Sequence, residues 1–171
     1  MADFQTALGL TLAHEGGYFQ VAATGEVVNH GLTLATIRSL GLVKSTGPAT
    51  LADIAFVKKL SVEDVTPIYR QEYWDRIELD GVTNQEIANK IFDLAVNVGC
   101  DQAVIFLQRA VGAKPDGDLG AITLMLTNRA DPVALLAKIH QQAEAFYRQL
   151  AANNPALTPD LPGWLARLAS A

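Results

Sequence analysis

The sequence has few of the residues that a disulfide-stabilised or metal-dependent protein needs. Its 171 residues include one cysteine, Cys100, which excludes an internal disulfide and a cysteine-based zinc site. The histidines His14 and His140 have no third well-placed ligand in the sequence, so zinc hydrolysis is not supported. We expect no metal and no cofactor, and we interpret Cys100 as a packed thiol.

Positive charge is also scarce. The 13 lysines and arginines are outnumbered by 18 acidic residues, and the net charge is -5. This balance argues against a nucleic-acid binder, which usually has a basic face. Half of the residues are apolar, yet no apolar run reaches the roughly 20 residues that span a bilayer. We expect a monomer that binds no nucleic acid and does not insert into a membrane.

The first ten residues, "MADFQTALGL", lack the features of a classical secretion signal. They contain no basic segment and no long apolar core. We therefore expect synthesis in the cytoplasm without a classical signal peptide.

Helical periodicity and helix-ending residues dominate the chain. Apolar residues recur every four positions from Phe4 to Leu12 after the capping residue Asp3, and Gly16–Gly17 end this first helix. Residues 18–33 alone have strand character. The sequence therefore predicts a mainly α fold with one small β-hairpin after the first helix. Further helices are predicted after Thr33, Thr50, Ser61, Thr83, Asp101 and Asp131, near Ala121, and around Trp164, with a kink or a later start at Pro67.

Glu15 stands at the end of the first helix. Unpaired carbonyl groups place about half a negative charge there, and partial burial beside Tyr18 would further disfavour a carboxylate. Both effects favour a carboxyl group that keeps its proton, as the general acid of a glycosidase must. Gly16 and Gly17 leave room for a bulky substrate. A solvated surface glutamate is the alternative interpretation.

Several short motifs occur in order along nearly the whole chain. They are "AHEGGY" and "NHGLT", then "YRQEYWDRI" and "FDLAVNVG", and finally "AVIFLQRAVGAKPDGDLGAIT". Together they resemble the signature of glycoside hydrolase family 108, a family of lysozyme-like muramidases, followed by a C-terminal peptidoglycan-binding region.

The resemblance implies a lysozyme-like helical fold and cleavage of peptidoglycan glycan strands between N-acetylmuramic acid and N-acetylglucosamine. The catalytic glutamate of the family falls on Glu15. We expect residues 1–85 to form the catalytic part and residues 86–171 the peptidoglycan-binding part, packed as one compact unit. Similar proteins serve as phage endolysins, prophage relics or wall-remodelling enzymes. A holin or another export route would bring such a protein to the periplasmic peptidoglycan.

The loop after the catalytic glutamate departs from the family pattern. It reads "QVAATGEVV", which places Ala23 and Val28 where the family has aspartate and threonine. An inverting hydrolase needs a base about 6.5–9.5 Å from its acid, and Glu26 is the nearest candidate. Thr24 and His30 are candidates for holding the water. The alternatives are a solvated turn residue for Glu26, a turn former for Thr24 and a packed side chain for His30.

Other residues are candidates for binding the substrate. Tyr18 follows the glycines directly and is expected to line the site. Tyr73 and Trp74 are adjacent, so they point in different directions, and one of them can face a sugar while the other packs inward. Asn97 shares a helix face with Asp93, because they are four residues apart. We expect this face to brace the loop after Glu15 or the floor of the cleft, with substrate contact by Asn97 as the alternative.

The segment "PDGDLG" places Asp116 and Asp118 close together. These residues lack the full ligand series of a calcium site, so a tight Asp–Gly turn is the expectation. Gln108 is either exposed or a brace for its surroundings.

Three functions are compatible with the sequence. The first is a peptidoglycan hydrolase with Glu15 as general acid. The second is a non-catalytic peptidoglycan-binding module, suggested by the altered loop. The third is a chitin or chitosan hydrolase, because the same acid chemistry serves any β-1,4-linked aminosugar chain.

Overall fold

The computed structural model is mainly α-helical with one small antiparallel sheet, as predicted, and it describes residues 1–21 and 25–170. The α-helices are α1 (Phe4–Glu15), α2 (Leu34–Ser39), α3 (Leu51–Lys59), α4 (Val62–Tyr69), α5 (Gln85–Val98), α6 (Cys100–Val111), α7 (Ala121–Arg129), α8 (Pro132–Asn153) and α9 (Leu161–Ser170). The strands are β1 (Phe19–Gln20), β2 (Val27–Asn29) and β3 (Leu32–Thr33). A π-helical segment covers Arg70–Asp75, and 3-10 helices cover Leu79–Gly81 and Pro155–Asp160.

The chain forms two compact units. The sheet-containing unit comprises Leu12–Tyr69, and the helical unit comprises Met1–Thr11 together with Arg70–Ala171. The boundary falls inside α1, so this helix contributes residues to both units. The expected division between a catalytic part, 1–85, and a binding part, 86–171, concerns function and stays a prediction.

Several predicted capping residues begin helices as expected. Asp3 accepts a hydrogen bond from the backbone of Thr6 at 2.7 Å, and Thr33 accepts one from the backbone of Thr36 at 3.1 Å. Thr50 forms a reciprocal capping box at the start of α3. These bonds satisfy amide groups that would lack partners in the first turn of a helix.

Two predicted helix starts are wrong. Asn84, not Thr83, caps α5, and its side chain accepts a hydrogen bond from the third residue of the helix at 3.0 Å. The backbone of Thr83 donates instead to Asn128 at 2.9 Å. Helix α6 begins one residue before Asp101, with Gly99 as its cap residue, so Asp101 lies in the first turn.

Pro67 lies inside α4 and does not delay the start of this helix. Ser61 and Asp64 form a reciprocal capping box, and the helix begins at Val62. The helix therefore does not start later, although Pro67 lacks the amide that would bond within it. The α-helical pattern changes after Tyr69, where the π-helical segment begins.

The sheet contains one strand more than the predicted hairpin. Its order is β1-β2-β3, and both pairs are antiparallel. Asn29 pairs with Leu32, so His30 and Gly31 form a two-residue turn. Their φ angles are 47° and 75°, and positive φ at both central residues is characteristic of a type I′ hairpin turn.

Aromatic rings form the centre of the helical unit. Phe4, Trp74 and Phe92 are all buried and pack edge to face, with ring centroids 5.5–5.8 Å apart. This geometry is favourable for aromatic rings and adds to the free energy gained from burying their large surface.

The long helix α8 packs through buried residues that include Leu135, Ile139 and Tyr147, whereas Val133 near its start is 74% exposed. The Tyr147 ring stacks on Trp164, so the last helix α9 docks through its tryptophan.

Cys100 is a packed thiol, as predicted. It is 5% exposed, and burial raises the pKa of the thiol, so the group stays protonated at neutral pH. Within the residues that the structure describes, no helix is long and apolar enough to cross a membrane.

Candidate active site

Glu15 is the last residue of α1 and is half-buried. Gly16 follows with a φ of 69°, and its amide donates to the carbonyl oxygen of Leu12 at 3.2 Å. A methyl group added at Gly16 or at Gly17 would meet no heavy atom within 4 Å. The predicted open space beside Glu15 is therefore present.

The turn between β2 and β3 approaches the carboxyl group of Glu15 closely. A methyl group added at Gly31 would lie 2.6 Å from Oε2 of Glu15 and 2.5 Å from the hydroxyl oxygen of Tyr69. Those two oxygens are thus at most 5.1 Å apart, the sum of the two distances. Only glycine combines this close approach with a φ of 75° at position 31.

Tyr69 fixes the same turn from α4. Its side chain is buried, and its hydroxyl group donates to the carbonyl oxygen of His30 at 2.8 Å. A phenolic hydroxyl has a single proton, so this bond directs the proton toward the turn and leaves oxygen lone pairs as acceptors. Tyr69 therefore holds His30 in its strained positive-φ conformation.

Asn29 fixes the other end of the turn. It is 3% exposed, and its side-chain amide donates to the carbonyl oxygens of Val57 at 2.9 Å and Leu60 at 3.1 Å. These carbonyl groups lie at the C-terminal end of α3, where helix carbonyls lack partners within the helix. The turn beside Glu15 is consequently bonded to both α3 and α4.

Sequence reasoning did not single out Asn29, Gly31 or Tyr69. Two of them lie in the motif "NHGLT" and the third begins "YRQEYWDRI", so the motifs contained the signal. The spacing alone did not show that Gly31 and Tyr69, 38 positions apart, meet at the carboxyl group of Glu15.

Tyr18 carries a positive neighbour. The ammonium group of Lys58 lies 5.5 Å from the centre of the Tyr18 ring, within the range of a cation–π interaction. Tyr18 is half-buried and Lys58 is exposed. An aromatic face and a cation therefore stand together in the sheet-containing unit.

The structure describes some of the candidate residues in the altered loop and not others. Glu26 is exposed directly before β2, and its carbonyl oxygen accepts from the backbone of Val21 at 2.8 Å. Val28 is 7% exposed in the central strand, so the position where the family has threonine is an apolar core position here. Ala23 and Thr24 lie outside the described residues. The roles of Glu26 and Thr24 stay predictions.

Of the two candidate aromatics Tyr73 and Trp74, the structure shows that Trp74 is the one that packs inward, so its candidacy for sugar contact is wrong. Trp74 is fully buried in the helical unit, and its indole nitrogen donates to Asp80 at 2.8 Å. Tyr73 is half-buried and packs edge to face on Phe92 at 6.5 Å between ring centroids. Of the two adjacent aromatics, only Tyr73 has exposed surface.

The polar face of α5 braces other elements than predicted. Asn97 accepts a hydrogen bond from the Tyr147 hydroxyl at 2.6 Å. Asp93 is 3% exposed, and its two carboxylate oxygens accept from Arg167 at 2.9 and 3.2 Å. The bracing role is as expected, but the partners are α8 and α9. Substrate contact by Asn97 stays a prediction.

Lys90 is a buried cation next to this pair. It is fully buried, and its ammonium group donates to the carbonyl oxygen of Leu168 at 2.6 Å. Burial lowers its pKa to about 8, although the negative charge of Asp93 acts in the opposite direction. No group of three or more potential metal ligands occurs in the part of the chain that the structure describes.

Two family models match the chain in succession. The glycosyl hydrolase 108 model matches residues 8–99, more than half of the chain, and a predicted peptidoglycan domain matches residues 102–169. A comparison with curated protein sequences finds no match.

A solved structure, that of SagA from Brucella abortus, is similar along nearly the whole chain. The sequences are 27% identical, the TM-score is 0.78, and the match covers 97% of this chain and 89% of SagA. The predicted lysozyme-like fold is confirmed by this similarity.

Proposed function

The chain belongs to glycosyl hydrolase family 108, and from this membership we propose that it cleaves the β-1,4 bond between N-acetylmuramic acid and N-acetylglucosamine, with Glu15 as the general acid. The two family models together support a glycoside hydrolase that acts on peptidoglycan. The choice of Glu15 as the acid rests on the geometry around its side chain.

One observation carries the proposal: the Glu15 carboxyl group lies beside the Gly31 turn and the Tyr69 hydroxyl, with open space at the glycines that follow it. Tyr69 donates its hydroxyl proton to a hydrogen bond with His30, so its oxygen is suited to accept a hydrogen bond from a protonated Glu15 rather than to donate one.

In the proposed reaction Glu15 donates its proton to the glycosidic oxygen while the bond from that oxygen to the anomeric carbon breaks. The leaving sugar departs as a neutral alcohol, and water attacks the anomeric carbon. Glu26 is the proposed acceptor of the proton from that water. The Tyr18 ring and the Lys58 ammonium are suited to a sugar face and to a peptidoglycan carboxylate, respectively.

The proposal is tested by mass spectrometry of purified peptidoglycan sacculi after digestion. We expect the wild type to release disaccharide-peptides with N-acetylmuramic acid at the reducing end. Glu15→Gln removes the transferable proton at nearly constant volume, and we expect release to fall by about 10³-fold, within the range for general acid catalysis. Glu26→Gln is measured in parallel as the test of the proposed base.

Three other results would contradict parts of the proposal. Undiminished release by Glu15→Gln would exclude Glu15 as the acid. Reducing-end N-acetylglucosamine would show that the other bond is cleaved, and cleavage of chitin oligomers alone would indicate a chitin-type hydrolase.

A non-catalytic binding protein is the second candidate, and the buried Val28 favours it. An apolar side chain at this position cannot hold a water molecule as a hydroxyl group would. This candidate predicts that the wild type sediments with sacculi but releases no soluble fragments.

A further inference from the structure

We propose that a cleft in the helical unit, lined by residues between Gln108 and Thr123, binds the peptide stem of peptidoglycan. We call it the stem cleft. The inference deepens the proposed function and rests on its choice of peptidoglycan as the substrate class.

The stem cleft is a cavity of about 460 Å³ lined entirely by residues of the region that matches a peptidoglycan domain. A second cavity in that region, lined in part by Lys138, measures about 260 Å³. A groove of about 550 Å³ is larger, but it is lined in part by Leu10 and Glu86, which lie outside the matched region. Ligand sites are usually preformed concave surfaces of several hundred Å³.

The wall of the stem cleft is held rigid by Gln108. This side chain is 1% exposed; its amide nitrogen donates to the Asp116 carboxylate at 2.7 Å and to the carbonyl oxygen of Asp118 at 2.8 Å. Its carbonyl oxygen accepts from the backbone of Gly117 at 2.9 Å. The bracing interpretation of Gln108 and the tight Asp–Gly turn are thus confirmed. A loop fixed before binding loses little conformational entropy when a ligand arrives.

Charges of both signs line the stem cleft. Lys114 is exposed, and its ammonium group lies 3.5 Å from the Asp116 carboxylate, while Asp118 adds a second carboxylate. The hydrogen bond from Gln108 is the main cause that lowers the pKa of Asp116, so this group is ionised at neutral pH. Peptidoglycan stems likewise carry both signs, because they contain carboxylates and the amine of a diamino acid.

The apolar part of the stem cleft also suits a peptide better than a glycan. Ile122 is 69% exposed, and Ala113 and Ala121 line the same cavity. Small apolar walls fit the methyl groups of the alanines in the stem. None of the described residues lining this cavity is aromatic, and aromatic faces are the usual platforms for sugar rings.

The test is a titration of the full-length protein with a free stem pentapeptide, followed by amide NMR shifts. The peptide is alanyl-D-glutamyl-diaminoacyl-D-alanyl-D-alanine. We expect the largest shifts at Gly117, Ile122 and their neighbours. Lys114→Glu should raise the Kd by about tenfold or more, the loss expected for one charge-assisted hydrogen bond.

The matched control is Lys138→Glu, which makes the same charge change at the second cavity described above. We expect it to change the Kd by less than about twofold, because surface charges far from a ligand contribute little. Equal effects of the two substitutions, shifts outside the stem cleft, or an absence of peptide binding would each overturn the inference. Binding of a peptide-free N-acetylglucosamine oligomer in the stem cleft would also overturn it.

The pentapeptide contains no glycosidic bond, so hydrolysis plays no part in this measurement. An active Glu15→Gln protein would overturn the proposed acid and leave the peptide titration unaffected. A failed peptide titration would leave the assignment of Glu15 standing.

Discussion

In the sheet-containing unit the Glu15 carboxyl group stands beside a glycine turn and open space, whereas in the helical unit the Asp93 carboxylate is enclosed and paired with Arg167. Asp93 accepts two hydrogen bonds from the guanidinium group, and its side chain is 4% exposed. Glu15 is half-buried, and methyl groups at the two following glycines would meet nothing within 4 Å.

We propose that this difference separates a structural acid, Asp93, from a catalytic one, Glu15. A carboxylate that is buried and bidentately paired gives its hydrogen-bonding capacity to the fold. A carboxyl group that is positioned by neighbours but only half-buried can exchange a proton with a substrate. In this proposal the two roles follow from burial and partners rather than from residue type.

The largest expected effect tests the structural side of this comparison. Arg167→Met leaves Asp93 buried without its guanidinium partner, which should cost about 3–5 kcal/mol in the free energy of unfolding. Urea denaturation measures this loss. The matched control is Arg148→Met, which removes the exposed pair with Glu144 on α8 and should cost less than about 0.5 kcal/mol. Similar small losses from both substitutions would show that the Asp93 pair is not a structural charge pair.

Lys90 provides a second test, through pH. Its pKa is 10.5 in the unfolded chain and about 8 in the folded protein, so the unfolded chain binds more protons between these values. The free energy of unfolding therefore rises with pH from about 8 to about 10.5, by up to about 3 kcal/mol.

Other groups change the free energy of unfolding with pH in the opposite direction, so the contribution of Lys90 has to be separated from theirs. Burial raises the pKa of Cys100, and raises that of Tyr147 to about 12, so both reduce stability at alkaline pH. The quantity to measure is the difference between wild type and Lys90→Met by urea denaturation at several pH values. A difference that does not change between pH 8 and 10.5 would contradict the buried-cation interpretation.

Gly31→Ala tests the chemical side of the comparison. The added methyl group would clash with the Glu15 carboxyl group and the Tyr69 hydroxyl, so we expect muropeptide release to fall by about a hundredfold, the cost of displacing a catalytic group by about 1 Å. Gly41→Ala is the control, because Gly41 has a similar φ of 73° but open space around it. Both substitutions should destabilise the fold through positive φ, and Gly31→Ala should destabilise it more, because only its methyl group meets other atoms. Equal activity of the two variants would show that the close approach to Glu15 has no catalytic importance.

The sequence predicted the features that depend on neighbouring residues. Caps such as Asp3 and Thr50, the end of α1 at Gly16 and the turn-forming segment after it follow from local hydrogen bonding and backbone preference. The family resemblance added the lysozyme-like fold, which the structural similarity confirms, and the hypothesis that Glu15 is the acid.

The sequence did not predict features that depend on distant contacts. The partner of Asp93 lies 74 residues away, and that of Asn97 lies 50 residues away, so periodicity showed a polar face but not what it holds. The sequence did not show which of the adjacent Tyr73 and Trp74 would be buried, because this depends on tertiary packing. The burial of Val28 in the central strand of the sheet likewise depends on tertiary packing.

The most direct measurement compares kcat/KM of the wild type and Glu15→Gln on two substrates. The leaving groups of these substrates differ in how much they need a proton. One substrate is the natural glycan, and the other is a muramic-acid glycoside of 2,4-dinitrophenol, whose anion leaves unaided. If Glu15 is the general acid, kcat/KM should fall by about 10³-fold on the glycan and by less than about tenfold on the dinitrophenyl glycoside. Equal losses on both substrates would contradict the role of Glu15 as the proton donor.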